Sequence, residues 1–316
     1  MKNIGKRNNM QKKSTHAVLM LAGMAILLSA MTGPALAETI FVSTNRDVNI
    51  DGISFSNEDI FVYNRDTDEW RMYFDGSDVG LAPRDVNAFH VSSEDGTILL
   101  SLNAPKFIPG LGRVDDSDII RFIPSCIGED TAGTFEWFFN GSDVGLKKPS
   151  EDVDAIGFTP GGRLVVSTAG NFCVPWFCGV GEDLIVFNAS SFGSHTSGSW
   201  KRYFDGSDVR LRRPSENVWG TFIDDTNNDI YLTTKGRFRV AGLSGSGNDI
   251  FRCSPSALGA KTACLFSPFF DGSFDFVPQD RIDGIFIGFD DDPEIEATAQ
   301  STIEICAPID NDECPS

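Results

Sequence analysis

The sequence predicts an all-β fold, a four-bladed β-propeller, and three observations predict it. An eight-residue motif returns at a nearly constant period, four apolar runs recur inside each period, and the two chain ends together supply one further period. The motif FDGSDVGL begins at Phe74, returns as FNGSDVGL at Phe139 and FDGSDVRL at Phe204, and ends in a shortened copy, FDGSFDF, at Phe270. The steps between these phenylalanines are 65, 65 and 66 residues. A fixed period of this length marks one supersecondary unit used repeatedly, each copy burying its apolar face on the next.

The first run of each period is DVNAFHV at 85–91, DVDAIGF at 152–158, NVWGTFI at 217–223 and RIDGIFI at 281–287. The second is TILLSL at 97–102, RLVVST at 163–168, DIYLTT at 229–234 and, near the front of the chain, TIFVST at 39–44. These runs are almost continuously apolar and rich in β-branched residues, as strands covered on both faces require. The third run is DIFVY at 59–63, DIIRF at 118–122, DLIVF at 183–187 and DIFRC at 249–253. The fourth is WRMYF at 70–74, FEWFF at 135–139, WKRYF at 200–204 and LFSPFF at 265–270. There Arg71, Glu136, Lys201 and Arg202 stand among aromatics, and Pro268 interrupts the last copy, which suits an outermost strand that must not pair with a neighbour.

Four antiparallel strands in about 65 residues, the inner ones apolar and the outermost charged, describe a propeller blade. The front of the chain supplies runs two, three and four, and the back supplies an additional run one. The ring is therefore expected to close where 281–287 lies beside 39–44. Ala88, Ala155, Gly220 and Gly284 place a small residue at one point of the first run, so neighbouring sheets can approach near the axis. A β-sandwich pair and a parallel β-solenoid also repeat strands, but neither explains a unit divided between the chain ends.

The stretch DVDAIGFTPGGRLVVST at 152–168, followed by DLIVF, resembles the strand–turn–strand of WD40-type propellers, without their Trp-Asp dipeptide or Gly-His. More closely, the FDGSDVGL–DVDA repeat resembles a group of exported bacterial repeat proteins of unassigned function. That resemblance covers Glu38 to about Asp290; it implies export and a repeat domain and carries over no catalytic residue.

Residues 1–37 are expected to be a signal peptide. Lys2, Lys6, Arg7, Lys12 and Lys13 precede an apolar run at 17–31, which breaks at Gly33-Pro34 and ends in the small-residue site Ala35-Leu36-Ala37. An uncleaved N-terminal anchor is the alternative. Cleavage would leave a secreted or periplasmic chain from about Glu38 and move the net charge from −19 to −24, since five cations and no anions leave. So acidic a surface argues against nucleic acid and anionic lipid and leaves an extracellular protein or glycan as the expected partner. Residues 38–290 are the repeat domain, and 291–316 are expected to be an acidic flexible tail. Seven cysteines in an exported chain suggest disulfides. Proximity pairs Cys173 with Cys178, Cys253 with Cys264 and Cys306 with Cys314, leaving Cys126 over.

Three repeated sets of residues are candidates for chemistry. In the FDGSD turn, Asp75, Asn140, Asp205 and Asp271 are expected to accept local backbone hydrogen bonds while the following glycine takes positive φ. Asp78, Asp143 and Asp208 are expected to serve the next connection in the same way. A calcium site on each blade rim is the alternative, although the distal glutamate of an EF-hand is missing. Asp59, Asp118, Asp183 and Asp249 open the third strands and are the candidate metal ligands, with calcium the expected ion; capping of a long loop between strands two and three is the competing reading. Asn87, Asp154, Trp219 and Asp283 lie at one level of the innermost strand and are the candidate ligand-binding set of the channel, set against ordinary pairing with backbone and buried water.

The loop at 172–179, FCVPWFCG, is either a contact surface for a partner or glycan, or a small core stapled by its two cysteines. No GxSxG, HExxH or glycine-rich phosphate loop is present. The expected function is a secreted, non-catalytic binding or structural module stabilised by calcium. The alternative is an extracellular hydrolase or lyase with a metal ion in the central channel.

Overall fold

A computed structural model describes residues 38–289. The signal-peptide and tail assignments and the Cys306–Cys314 pairing lie outside the described residues.

Four sheets of four antiparallel strands form four blades arranged in a ring. From inside outward, the first blade is Ile282–Phe289, Glu38–Thr44, Ile60–Asn64 and Glu69–Phe74. The second is Ala88–Val91, Ile98–Ser101, Ile119–Cys126 and Ala132–Phe139. The third is Val153–Phe158, Leu164–Thr168, Leu184–Ser191 and Ser197–Phe204, and the fourth is Val218–Ile223, Ile230–Thr234, Ile250–Ala257 and Ala263–Phe270. The expected closure is present. The back of the chain completes the first blade, with Ile287 opposite Ile40, Phe286 opposite Phe41 and Ile285 opposite Val42.

Ring closure is also visible in one backbone hydrogen bond made at all four blade junctions. Val86 N–H donates to the Asn57 carbonyl at 3.0 Å, Val153 to Asp116 at 3.1 Å, Val218 to Gly181 at 3.0 Å and Ile282 to Gly247 at 3.0 Å. Each bond ties the start of one inner strand to the loop entering the third strand of the preceding blade.

Apolar burial between blades explains the invariant phenylalanine of the motif. Phe74, Phe139 and Phe204 have no exposed surface. Phe74 meets Phe122 of the next blade edge-on at 5.1 Å, and Phe139 meets Phe187 likewise at 5.3 Å. Burying each such ring stabilises the ring of blades by about 1.5–3 kcal/mol.

The structure departs from expectation in three places. The third and fourth strands of blades two to four extend beyond their apolar runs, because Gly, Ser and Thr on either side of the turn continue the ladder without an apolar signal. The connection between strands two and three is a small hairpin in every blade: Val48–Ile50 with Ile53–Phe55, Lys106–Ile108 with Gly112–Val114, Phe172–Val174 with Phe177–Gly179, and Phe238–Val240 with Leu243–Gly245. Three-residue arms are too short to show a period, and aromatic packing on the blade holds them, as where Phe55 stacks on Phe61 at 4.3 Å and Phe238 on Phe251 at 4.1 Å. Finally, Cys126 is disulfide-bonded rather than left over. The Cys173–Cys178 and Cys253–Cys264 bonds are both formed.

Candidate functional site

The inner strands all start at one face of the ring, and the hairpins, the FDGSD turns and the first residues of the third strands gather at that same face. Every candidate set from the sequence lies there.

The turn aspartates act locally, as expected. Asp75 Oδ1 accepts from Ser77 N at 2.9 Å, Asp205 Oδ1 from Ser207 N at 3.1 Å, Asp271 Oδ1 from Ser273 N at 3.1 Å, and the Asn140 side chain from Asp143 N at 3.3 Å. The glycine after them, however, is not at positive φ. It is needed because a Cβ on Gly76, Gly141, Gly206 or Gly272 would collide with the carbonyl oxygen of Glu58, Ser117, Glu182 or Asn248. Positive φ falls four residues later, at Gly80 (78°), Gly145 (107°) and, in the third copy, Arg210 (81°).

The second aspartate of the motif reaches into the next blade. Asp78 Oδ2 accepts from Thr131 N at 2.9 Å, Asp143 Oδ2 from Thr196 N at 3.0 Å and Asp208 Oδ2 from Thr262 N at 2.8 Å. In return Thr131, Thr196 and Thr262 accept at Oγ1 from the backbone N–H of Asp75, Asn140 and Asp205 at 2.8–2.9 Å. These threonines end the turns GEDT, GSHT and GAKT at 128–131, 193–196 and 259–262, a second repeat of 65 and 66 residues that sequence reading passed over. The first blade has only a short turn at 65–68 there, and the motif facing it is the shortened FDGSFDF. At that junction Asp275 Oδ1 accepts from the Trp70 indole at 3.1 Å, with Phe270 and Phe276 against the same ring.

Asp59, Asp118, Asp183 and Asp249 each join two pieces of backbone. Their Oδ2 atoms accept from the amides of Ser56, Asp115, Val180 and Ser246, and their Oδ1 atoms from those of Gly76, Gly141, Gly206 and Gly272, at 2.7–3.3 Å. Burial pushes Asp59 up to about 7 and Asp118 to about 6 against the lowering effect of these amides, and it raises Asp183. Both oxygens of every one of these carboxylates therefore have backbone partners.

At the axis the structure assembles a denser group. Asn87, Asp154 and Asp283 of the expected ring are buried, and Trp219 is half-buried. Asn87 Nδ2 donates to Asp154 Oδ1 and to the Val153 carbonyl, both at 3.2 Å, and Asp283 Oδ1 accepts from Ser43 Oγ at 2.8 Å. The Trp219 side chain lies beside Asp154 and favours its charged form. The Lys235 ammonium lies 5.4 Å from the centre of the Trp219 ring and is the cation acting on Asp154.

Two further aspartates join them, Asp85 and Asp152, which open the first run in blades two and three and are 6% and 8% exposed. Asp85 Oδ1, Asp152 Oδ1 and Asn87 Oδ1 are buried and have no hydrogen-bond partner. Burial raises all four carboxyls of the group, and like charge adds to it. Asp85 is raised further by Asp283, Asp154 and Asp152; Asp152 by Asp154; and Asp283 by Asp154. For Asp154, Lys235, the Asn87 hydrogen bond and the neighbouring Trp219 side chain oppose the burial. The signal for Asp85 and Asp152 was present, since DVNA and DVDA share a leading aspartate, but the residue stood only as the edge of a strand.

The opposite end of the axis is aromatic. His90 is half-buried there between Phe158, 4.7 Å away, and Phe286, 5.3 Å away, and Phe222 meets Phe286 at 5.1 Å. Burial lowers the His90 pKa to about 4, so its imidazole is neutral at physiological pH.

The aromatic hairpin divides between its two readings. Phe172 is buried, whereas Trp176, at the tip and with φ of 81°, is 99% exposed. Cys173 and Cys178 face one another across its two arms.

Among the described residues no three His, Cys, Asp or Glu side chains stand in a metal-binding arrangement, and no helix is long and apolar enough to cross a membrane. No protein-family model matches the chain, and no curated protein matches it. Among solved structures, the chain is similar to a protein of unknown function from Bacteroides caccae, at 12% identity and a TM-score of 0.33 over 79% of this chain and 98% of that one.

Proposed function

We propose that this protein is a non-catalytic extracellular binding module whose acidic axial mouth takes up a cation. One observation carries the reading: Asp85, Asp152, Asp154 and Asp283 are buried together, and carboxylate oxygens of Asp85 and Asp152 have no partner. Buried carboxylates of like charge are stable only when protonated or paired with positive charge. Lys235 supplies one such charge at the edge of the group. The Asn87 amide oxygen adds a neutral donor beside them, so the mouth offers the hard oxygens that calcium prefers. Because no three of the described carboxyls stand ready around a metal, binding requires these side chains to draw together around the ion. Asp59, Asp118, Asp183 and Asp249 support the same module by holding hairpins and turns in place around the mouth.

Export is supported by the two disulfides and by the likeness of the repeat to exported bacterial FDGSDVGL proteins. A non-catalytic role is supported by the chemistry of the axis. The aspartates sit at one end, and His90 sits at the other among aromatics, so among the described residues the carboxyl cluster has no imidazole beside it.

Thermal melts at neutral pH test the reading, with chelator and with added calcium, on the wild-type chain and on an Asp85→Asn/Asp152→Asn variant. Calcium is expected to raise the wild-type melting temperature and to leave the variant unmoved. Superimposable wild-type melts with calcium and with chelator, together with no heat of calcium binding by calorimetry, would overturn it.

A further inference from the structure

The same face carries a second electrostatic feature, opposite in sign to the mouth and to the chain as a whole. In a protein of net charge −19, Arg210, Arg212, Arg213, Lys235, Arg237 and Arg239 are all exposed on the fourth blade's side of that face. They lie on two segments that are tied together. Ser215 Oγ donates to the Arg237 carbonyl at 3.1 Å, Gly236 N to the Ser215 carbonyl at 2.8 Å, and Lys235 N to the Asn217 carbonyl at 2.9 Å.

Glu216, three residues after Arg213, does not neutralise this patch. It is 3% exposed, and it accepts from the backbone amides of Arg212, Arg213 and Arg239 at 2.9–3.2 Å. Its charge is thus engaged with main chain beneath the surface, while the side chains of the same three residues are exposed, Arg212 Nε donating to the Ser207 carbonyl at 3.0 Å. Asp208 is likewise engaged with the Thr262 amide. The result is a rim where cations gather, with Glu216 buried beneath it and Asp208, exposed, engaged by a backbone amide.

On the neighbouring hairpin of this face stands Trp176. A tryptophan wholly in solvent, at a φ that L side chains rarely adopt, on a hairpin closed by a disulfide between facing positions, is a rigid apolar platform. Lys147 and Lys148 are exposed on the turn that packs under that hairpin, where Gly145 meets Pro175.

We infer that the rim of the third and fourth blades binds an acidic polysaccharide, its carboxylate or sulfate groups held by the arginines and a sugar ring stacked on Trp176. Arginine suits both groups, because its planar fork pairs two oxygens at once. An aromatic face suits the C–H side of a sugar. A nucleic acid carries a phosphate at every nucleotide and would meet the chain's net negative field on all other sides, whereas a more sparsely charged glycan needs only the rim. This surface adjoins the cation-binding mouth at Lys235, but its arginines and Trp176 lie outside the aspartate cluster, and its occupancy does not depend on calcium.

Binding of polygalacturonate, heparin and single-stranded DNA to the full chain at low ionic strength tests the assignment. The variants are Arg212→Gln/Arg237→Gln/Arg239→Gln and Trp176→Ala; both substitute exposed side chains and are checked by unchanged thermal melts. Wild-type protein is expected to bind polygalacturonate or heparin, the two probes separating carboxylate from sulfate recognition. The triple variant should lose at least tenfold in affinity and Trp176→Ala several-fold, with the calcium response of both intact. Absence of binding to either glycan, undiminished binding by the triple variant, or DNA binding as tight as glycan binding would overturn the assignment.

Discussion

Replacing Asp85 by Asn should stabilise the protein more at pH 7 than at pH 5. The reason lies in the direction of the shift. An unperturbed aspartate titrates at about 3.9. Burial and the charges of Asp283, Asp154 and Asp152 raise Asp85 in the fold, so between those limits the native state holds a proton that the unfolded chain has released. Stability from such a group is complete below about pH 4 and is lost as pH rises through its folded-state value. Asp154, raised to about 7, bounds the window from pH 4 to neutrality, and Asp85 behaves in the same sense within it.

One proton difference changes stability by about 1.4 kcal/mol per pH unit. Over the two units from pH 5 to pH 7 that amounts to roughly 1.5–3 kcal/mol for Asp85, after allowance for relaxation around the charge. Asn keeps an oxygen and the shape of the side chain but cannot ionise. In a domain of this size each kcal/mol moves the melting temperature by about 2–4 °C, so the advantage of Asp85→Asn over the wild type should grow by roughly 3–12 °C from pH 5 to pH 7. The assay is calorimetry or circular dichroism melting in chelator at both pH values. Asp95, Glu151 and Asp205, whose pKa values are lowered, act at more acidic pH and do not enter the comparison. A wild-type melting temperature that climbs from pH 5 to pH 7, or a variant shifted equally at both, would refute the account of the cluster.

Two further outcomes follow from the junctions between blades. Arg210 takes the left-handed conformation that Gly80 and Gly145 supply in the other copies, at a cost of about 1 kcal/mol for a side chain with a Cβ. Arg210→Gly should therefore raise stability by roughly 0.5–1 kcal/mol and Gly145→Ala lower it by at least that amount, as read by urea denaturation. Thr196→Val removes the hydroxyl that accepts from the Asn140 amide and donates to the Gly193 carbonyl, and should cost about 1–3 kcal/mol. A Thr196→Ser variant, which retains the hydroxyl, should recover most of that loss in the same titration.

The architecture was legible because repetition multiplies a weak local signal. A single DIFVY or DVNAFHV says little, but four copies in step with one motif, and a unit divided between the chain ends, leave few arrangements besides a closed ring. Ring closure itself, 281–287 beside 39–44, was therefore available from the strand count alone, while its register, Ile287 opposite Ile40, was not. The hairpins between the second and third strands escaped notice because their arms are three residues long, below any recognisable period. The reason for the motif's glycine was also beyond sequence: backbone freedom and lack of space both select Gly, and only the position of the Glu58 carbonyl beside Gly76 distinguishes them.

The candidate site divides in the same way. Sequence placed Asn87, Asp154, Trp219 and Asp283 at one level of the inner strands, because that depends only on register within a repeat. Whether an aspartate is engaged or left over depends on neighbours distant along the chain. Asp59 and its equivalents find two backbone amides each, while Asp85 and Asp152, unremarkable at the edge of an apolar run, reach the axis with an oxygen unpartnered. The chain's own order determines which strands form and how many blades they make. Folding alone decides where charge gathers, because electrostatic energy depends on distance through space and on exclusion of water, and neither is written in the spacing of residues.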